Sequence, residues 1–202
     1  SYLDKVPDVT DLAPYFVPTN GSARSAAFEL ANNWGQGAEI VQLVRDGDVV
    51  TIQKNAQYEK RRLSDSRIYF FEDTSRGGGE FYRIESATGW LPRRMAVGDR
   101  YTRNETVMVF RKVDCQKVHG PYTSTSDILF EQRHDTWRSE AGVIVADVIQ
   151  LAWIVNGAVD ERYYYAAGHG LVGWEKIATG QKSWIKRYAS QDELPPREAL
   201  KC

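Results

Sequence analysis

The stretch Glu161-Arg-Tyr-Tyr-Tyr-Ala-Ala-Gly-His-Gly-Leu-Val-Gly-Trp-Glu175 decides the fold class. Three tyrosines run into a Gly-His-Gly turn, and an alternating Leu-Val-Gly-Trp-Glu segment follows. Aromatic and β-branched residues on both sides of a glycine turn predict a β-hairpin. Simple alternation puts Val172 and Trp174 on one face and Leu171 and Glu175 on the other.

The same signals recur upstream and downstream. Glu39 to Arg45 and Val49 to Gln53 flank Asp46-Gly47-Asp48, and Asp-Gly between β-branched runs is a strong hairpin signal. Arg67 to Glu72 and Glu80 to Glu85 flank Gly77-Gly78-Gly79 and predict a second hairpin with a longer loop. Tyr101 to Val113, Ser126 to Trp137 and Gly142 to Val155 are further runs. Asn156-Gly157 turns the last of these into Val159 to Ala166, and Leu171 to Ile177 and Ser183 to Tyr188 complete the series. About ten to twelve strands joined mostly by short turns predict an all-β, largely antiparallel fold. A single sheet of that size must curl into a sandwich, a barrel or a half-barrel. One short N-terminal helix is predicted over Arg24 to Asn33, where Ala26, Ala27, Glu29, Leu30 and Ala31 favour it. Residues 1–25, interrupted by Pro7, Pro14 and Pro18, read as irregular; 26–189 form the β domain; 190–202, with Pro195-Pro196, read as a tail.

Composition narrows the function. Of the 202 residues 42% are hydrophobic, enough for a real core, and disorder is excluded. A balance of 26 basic and 27 acidic residues gives no electrostatic basis for binding nucleic acid. No apolar run approaches the roughly 18 residues of a membrane-spanning helix. Cys115 and Cys202 are either one disulfide, closing a loop of about 88 residues worth on the order of 4 kcal/mol, or two unrelated thiols. Neither lies in a Cys-x-x-Cys pair.

Tyr163-Tyr-Tyr-Ala-Ala-Gly-His-Gly-Leu-Val172 resembles the tyrosine-rich strand, Ala-x-Gly-x-Gly turn and Leu-Val strand of several bacterial exported, lipoprotein-like β-domains of unknown function. Gly89-Trp-Leu-Pro92 and Met95-Ala-Val-Gly-Asp99 resemble the short segment that precedes their long central strand. The resemblance spans Gly89 to Glu175, and this chain has Ala167-Gly-His-Gly170 where those domains have Pro-Gly-Val-Gly. It implies a curved antiparallel sheet and an extracytoplasmic setting (secreted, periplasmic or cell-surface), and no particular activity.

Candidate chemistry is sparse. His119, His134 and His169 show no metal-ligand spacing, so no metal site or cofactor is predicted. His169 is the histidine singled out, because its flanking glycines would leave the ring exposed. No nucleophile elbow, metalloprotease motif or phosphate loop occurs. Glu39, Glu72, Glu80, Glu85, Glu131 and Glu161 fall on predicted strands, where a hydrolase could carry an acid–base pair and where solvated sheet faces also carry acids. Trp34 and Trp90 sit beside glycines, Trp137 lies between Thr136 and Arg138, and Trp174 follows Gly173. Indoles exposed at such positions stack on sugar rings; buried ones cap sheet ends. The leading expectation is therefore a non-enzymatic domain that binds carbohydrate or another extracellular ligand through Trp34, Trp90, Trp137, Trp174 and His169. The alternatives are a carbohydrate-active enzyme and an envelope structural or lipid-binding protein.

Overall fold

The computed structural model describes residues 8–202. Its strands are β1 (Val9–Asp11), β2 (Ala27–Asn32), β3 (Glu39–Asp46), β4 (Val49–Lys54), β5 (Gln57–Leu63), β6 (Arg67–Asp73), β7 (Glu80–Glu85), β8 (Leu91–Pro92), β9 (Arg94–Ala96), β10 (Arg100–Arg111), β11 (Lys117–Arg138), β12 (Ile144–Val155), β13 (Ala158–Ala166), β14 (Gly170–Lys176) and β15 (Gln181–Ala189). Twelve of them form one antiparallel barrel in the order β5-β4-β3-β2-β15-β14-β13-β12-β11-β10-β7-β6, which β5–β6 pairing closes. Of the three ways a large sheet can curl, the chain takes full closure, which removes both exposed edges.

The glycine turns form as their residues dictate. Asn156 and Gly157, at φ 50° and 81°, make the two-residue connection between β12 and β13, whose mirror-image twist matches the strands it joins. The predicted hairpin of β6 and β7 is paired only through Glu72–Arg83 and Asp73–Tyr82.

The predicted helix does not form. Ala27–Asn32 is β2, between β15 and β3, with Phe28 and Leu30 buried. Its alanines favour a helix, but the barrel needs a strand there, and sheet pairing with burial overrides a weak propensity.

A barrel of twelve strands is too wide for its own side chains to fill. One end is closed by chain from outside the barrel wall. Leu12, Tyr15 and Phe16 are buried in a cluster with Ile68, Trp90, Leu91, Met95, Ile128 and Phe130. This floor is pinned by few bonds. The Leu12 amide donates to the Arg93 carbonyl, and the Gly168 amide donates to the Pro14 carbonyl. The Tyr15 hydroxyl donates to Asp147 at 2.6 Å, and Arg93 pairs with Asp11. The Gly-His-Gly turn fits closely between the N-terminal segment and the wall: a side chain at Gly168 (φ 75°) would strike Thr19 Oγ1, and one at Gly170 would strike Leu43 of β3. A second apolar cluster, including Phe28, Leu43, Ile52, Val148, Val172 and Ile185, packs another part of the molecule.

The C-terminal segment is a strap. Gln53 donates to the Pro195 carbonyl, the Glu198 amide donates to Ala56, and the Lys201 amide donates to Lys112. Lys112 pairs with Glu198 at 2.8 Å, and Cys115 and Cys202 form a disulfide. The strap thus runs from β4 to the β10–β11 turn, from one side of the β5–β6 seam to the other.

Candidate binding cavity in the barrel lumen

Above the floor the lumen holds a cavity of about 530 Å³, within the range of small-molecule sites. It reaches solvent past Ser75 and the exposed Tyr122. Its walls are aromatic and charged together.

The deep end is built on Trp90, which the bend at Gly89 (φ 79°) turns inward. Two guanidiniums lie against its ring, Arg61 of β5 at 4.7 Å and Arg103 of β10 at 5.7 Å from the centroid. Arg61 also lies 5.0 Å from the Phe70 ring, and Arg103 lies 5.6 Å from the ring of Trp153. Aromatic faces partly replace the water these cations lose. Arg61 and Arg103 are only 4% and 6% exposed, and Glu105, two residues along β10, is 7% exposed.

The charges here are only partly paired. Glu59 accepts from Lys54 Nζ at 2.6 Å and from Arg61 Nη1 at 3.2 Å. Burial pushes the Glu59 carboxyl up, but Lys54 and Arg61 outweigh it and hold the pKa at about 2. Burial, then the nearby charge of Glu59, raises Asp73. Burial raises Glu105, opposed in part by Arg103 and Arg61, and the same burial lowers Arg103. Arg103 Nε donates to Ser126 Oγ at 2.8 Å. Among the described residues, Arg61 Nε, Glu105 Oε1 and Trp153 Nε1 are buried polar atoms without a partner, and all three belong to residues of the cavity wall. Native interiors leave few such atoms, and each asks for an explanation.

Nearer solvent, Trp34 and Trp174 meet edge to face at 5.7 Å. Trp174 Nε1 donates to Glu161 at 3.0 Å, and the Tyr163 hydroxyl donates to the same carboxylate oxygen. Burial and Glu161 raise the Tyr163 pKa well above its ordinary value. Trp34 is fixed by its indole bond to Gln36 at 3.0 Å and by its amide bond to Asn32.

Trp34, Trp90 and Trp174 therefore line one cavity, a convergence that the sequence reading, with Trp34 and Trp90 beside glycines and Trp174 on a strand face, did not anticipate. Trp90 is buried. Trp174 reaches the lumen because β14 carries a bulge: Tyr165 pairs with Leu171 and Tyr164 with Gly173, leaving Val172 extra. The extra residue reverses the alternation, so Leu171 and Trp174 line the lumen together, contrary to the simple face assignment.

Trp137 does not join them. It stacks on Tyr164 at 5.2 Å and lies over Gly173, where only a glycine leaves room for the indole. His169 is half-buried; its Nδ1 lies 3.0 Å from the Ala167 carbonyl and its ring lies near Tyr188. The glycines beside it serve the floor contacts instead of exposing the ring. Of the strand-borne glutamates, Glu39 and Glu161 line the cavity. Glu72, Glu80 and Glu131 pair with arginines elsewhere, and Glu85 is exposed.

Sequence reading missed Glu59, Arg61, Arg103, Glu105 and Trp153. One signal was available: Arg103 and Glu105 share the phase of Tyr101, Val107 and Val109 along one strand. No protein-family model, no curated protein and no solved structure matches this chain.

Proposed function

We propose that the protein is an extracytoplasmic binding domain that holds a small saccharide in the barrel lumen. The observation carrying this reading is the set of partnerless polar atoms, Arg61 Nε, Glu105 Oε1 and Trp153 Nε1, in a cavity walled by indoles. A sugar ring offers apolar C–H faces for Trp34, Trp90 and Trp174, and hydroxyls that both accept and donate. A disulfide joining Cys115 to Cys202 supports an oxidising compartment. A lipid chain fits less well, because Glu39, Glu59, Asp73, Glu105, Glu161, Lys54, Arg61 and Arg103 share the lining.

The test is titration with a panel of mono- and disaccharides, followed by tryptophan fluorescence and calorimetry. Four of the six tryptophans line the cavity, so saturable quenching or a spectral shift is expected, abolished in Trp174→Ala. A flat response across the panel overturns the proposal. One observation favours hydrolysis as a second reading: Glu59 and Asp73 are cross-strand partners at the β5–β6 seam, both line the cavity, and burial with the charge of Glu59 raises Asp73. New reducing ends released from a bound disaccharide, and lost in Asp73→Asn, would establish it.

A further inference from the structure

We infer that the deep end of the lumen recognises an acidic sugar, a ring bearing a carboxylate of the uronic-acid kind, through Arg61 and Arg103. This rests on the saccharide reading above and sharpens it.

The unsatisfied groups are not a random mixture. Two of the three partnerless buried atoms, Arg61 Nε and Trp153 Nε1, can only donate. Arg103 adds further donors, since among the described residues its one side-chain bond is from Nε to Ser126. These groups lie together, because both guanidiniums lie against Trp90 and Arg103 also lies against Trp153. Neutral hydroxyls would satisfy such donors, but two desolvated guanidiniums bind a carboxylate far better, by charge and by the fit of a planar fork to a planar anion.

The wall also contains acids, so the local balance decides the sign. Glu59 is already engaged by Lys54 and Arg61. Glu161 lies with Trp174 and Lys176. Glu39 and Asp73 lie with Glu59 around Lys54, Glu105 is the acid beside Arg103 and Arg61, and burial raises its pKa. Glu105 is thus the acid that competes with a bound anion for Arg103, and burial, which disfavours its charged form, weakens that competition.

The test compares acid and neutral partners of one ring: glucuronate with glucose, and galacturonate with galactose, by calorimetry on the intact chain. The acids are expected to bind at least tenfold more tightly. Arg103→Gln should reduce that preference to less than about threefold. Equal affinity for acid and neutral sugars, or a preference that survives Arg103→Gln, overturns the inference and leaves the saccharide reading standing. Failure of all four sugars to bind overturns both. Should Arg103→Gln not fold, as judged by circular dichroism, Glu105→Gln is the deciding variant. It removes the competing carboxylate beside Arg103, so a severalfold larger ratio of acid to neutral affinity is expected. A ratio that does not rise in Glu105→Gln overturns the inference.

Discussion

The Arg61 guanidinium lies 4.7 Å from the centre of the Trp90 ring, and its buried Nε has no acceptor among the described residues. A cation held against an indole in a dry interior is worth about 2 kcal/mol. A double-mutant cycle over Arg61→Met and Trp90→Leu, read by chemical denaturation, should give a coupling energy of about 1–2 kcal/mol. Additive losses would mean that the two groups are merely neighbours.

Glu59 ties Lys54 to Arg61. Removing it by Glu59→Gln leaves two largely buried cations with less compensation and should cost about 3–5 kcal/mol at pH 7. Its folded-state pKa, at about 2, lies below the ordinary carboxylate value. The stabilisation is therefore complete above that ordinary value and is lost as pH falls towards 2. Denaturation at a series of pH values between neutrality and 2 should show the wild type and Glu59→Gln converging in acid. A gap that stays constant would contradict this.

A Cβ at Gly173 would sit 2.9 Å from the edge of Trp137. The backbone there is not left-handed, so the cost of Gly173→Ala is steric. Melting curves should show a loss of about 1–3 kcal/mol, partly restored when Trp137→Leu is added. Sugar binding, if present, should persist, because Trp137 lies outside the cavity.

The Cys115–Cys202 disulfide spans 87 positions, and closing a loop of that size restrains the unfolded chain by on the order of 4–5 kcal/mol. Cys202→Ser should lower the unfolding midpoint and speed hydrogen exchange at the Glu198 and Lys201 amides that hold the strap. Mass spectrometry of untreated protein should find the chain two hydrogens lighter than after reduction. Free thiols in the untreated protein would end this account.

The β-hairpins were legible because their turns announce themselves. Gly47 and Asn156-Gly157 take left-handed backbone, and β-branched runs flank them. β5 was not legible, for a reason tied to function. In Gln57-Tyr-Glu-Lys-Arg-Arg-Leu63 the inward residues Glu59 and Arg61 are charged and the outward Lys60 and Arg62 are charged too, so no alternation of polarity marks the strand. The strand that closes the barrel and supplies the deep site therefore carries no strand signal of its own. β2 was misread for the opposite reason: its alanines spoke for a helix locally, while its longer pairing is with β15, far away in sequence. Trp34, Trp90 and Trp174 were picked out by residue type and by the glycines beside them. That they share a cavity depends on closure and on one bulge at Val172, which no local pattern encodes.

The floor has a consequence for how this architecture can vary. Girth is set by strand number and pairing, which twelve strands must satisfy jointly. Depth is set by Leu12, Tyr15 and Phe16, which touch the walls through side chains and a handful of bonds. Phe16, packed on Trp90 and Tyr165, lies next to the Arg61 site. The two dimensions are uncoupled: a shorter side chain at position 16 would lengthen the compartment beneath the guanidiniums with no change to any strand register. One aromatic residue on a separate segment thus works as an adjustable piston, setting how long a molecule the same cylinder can accept.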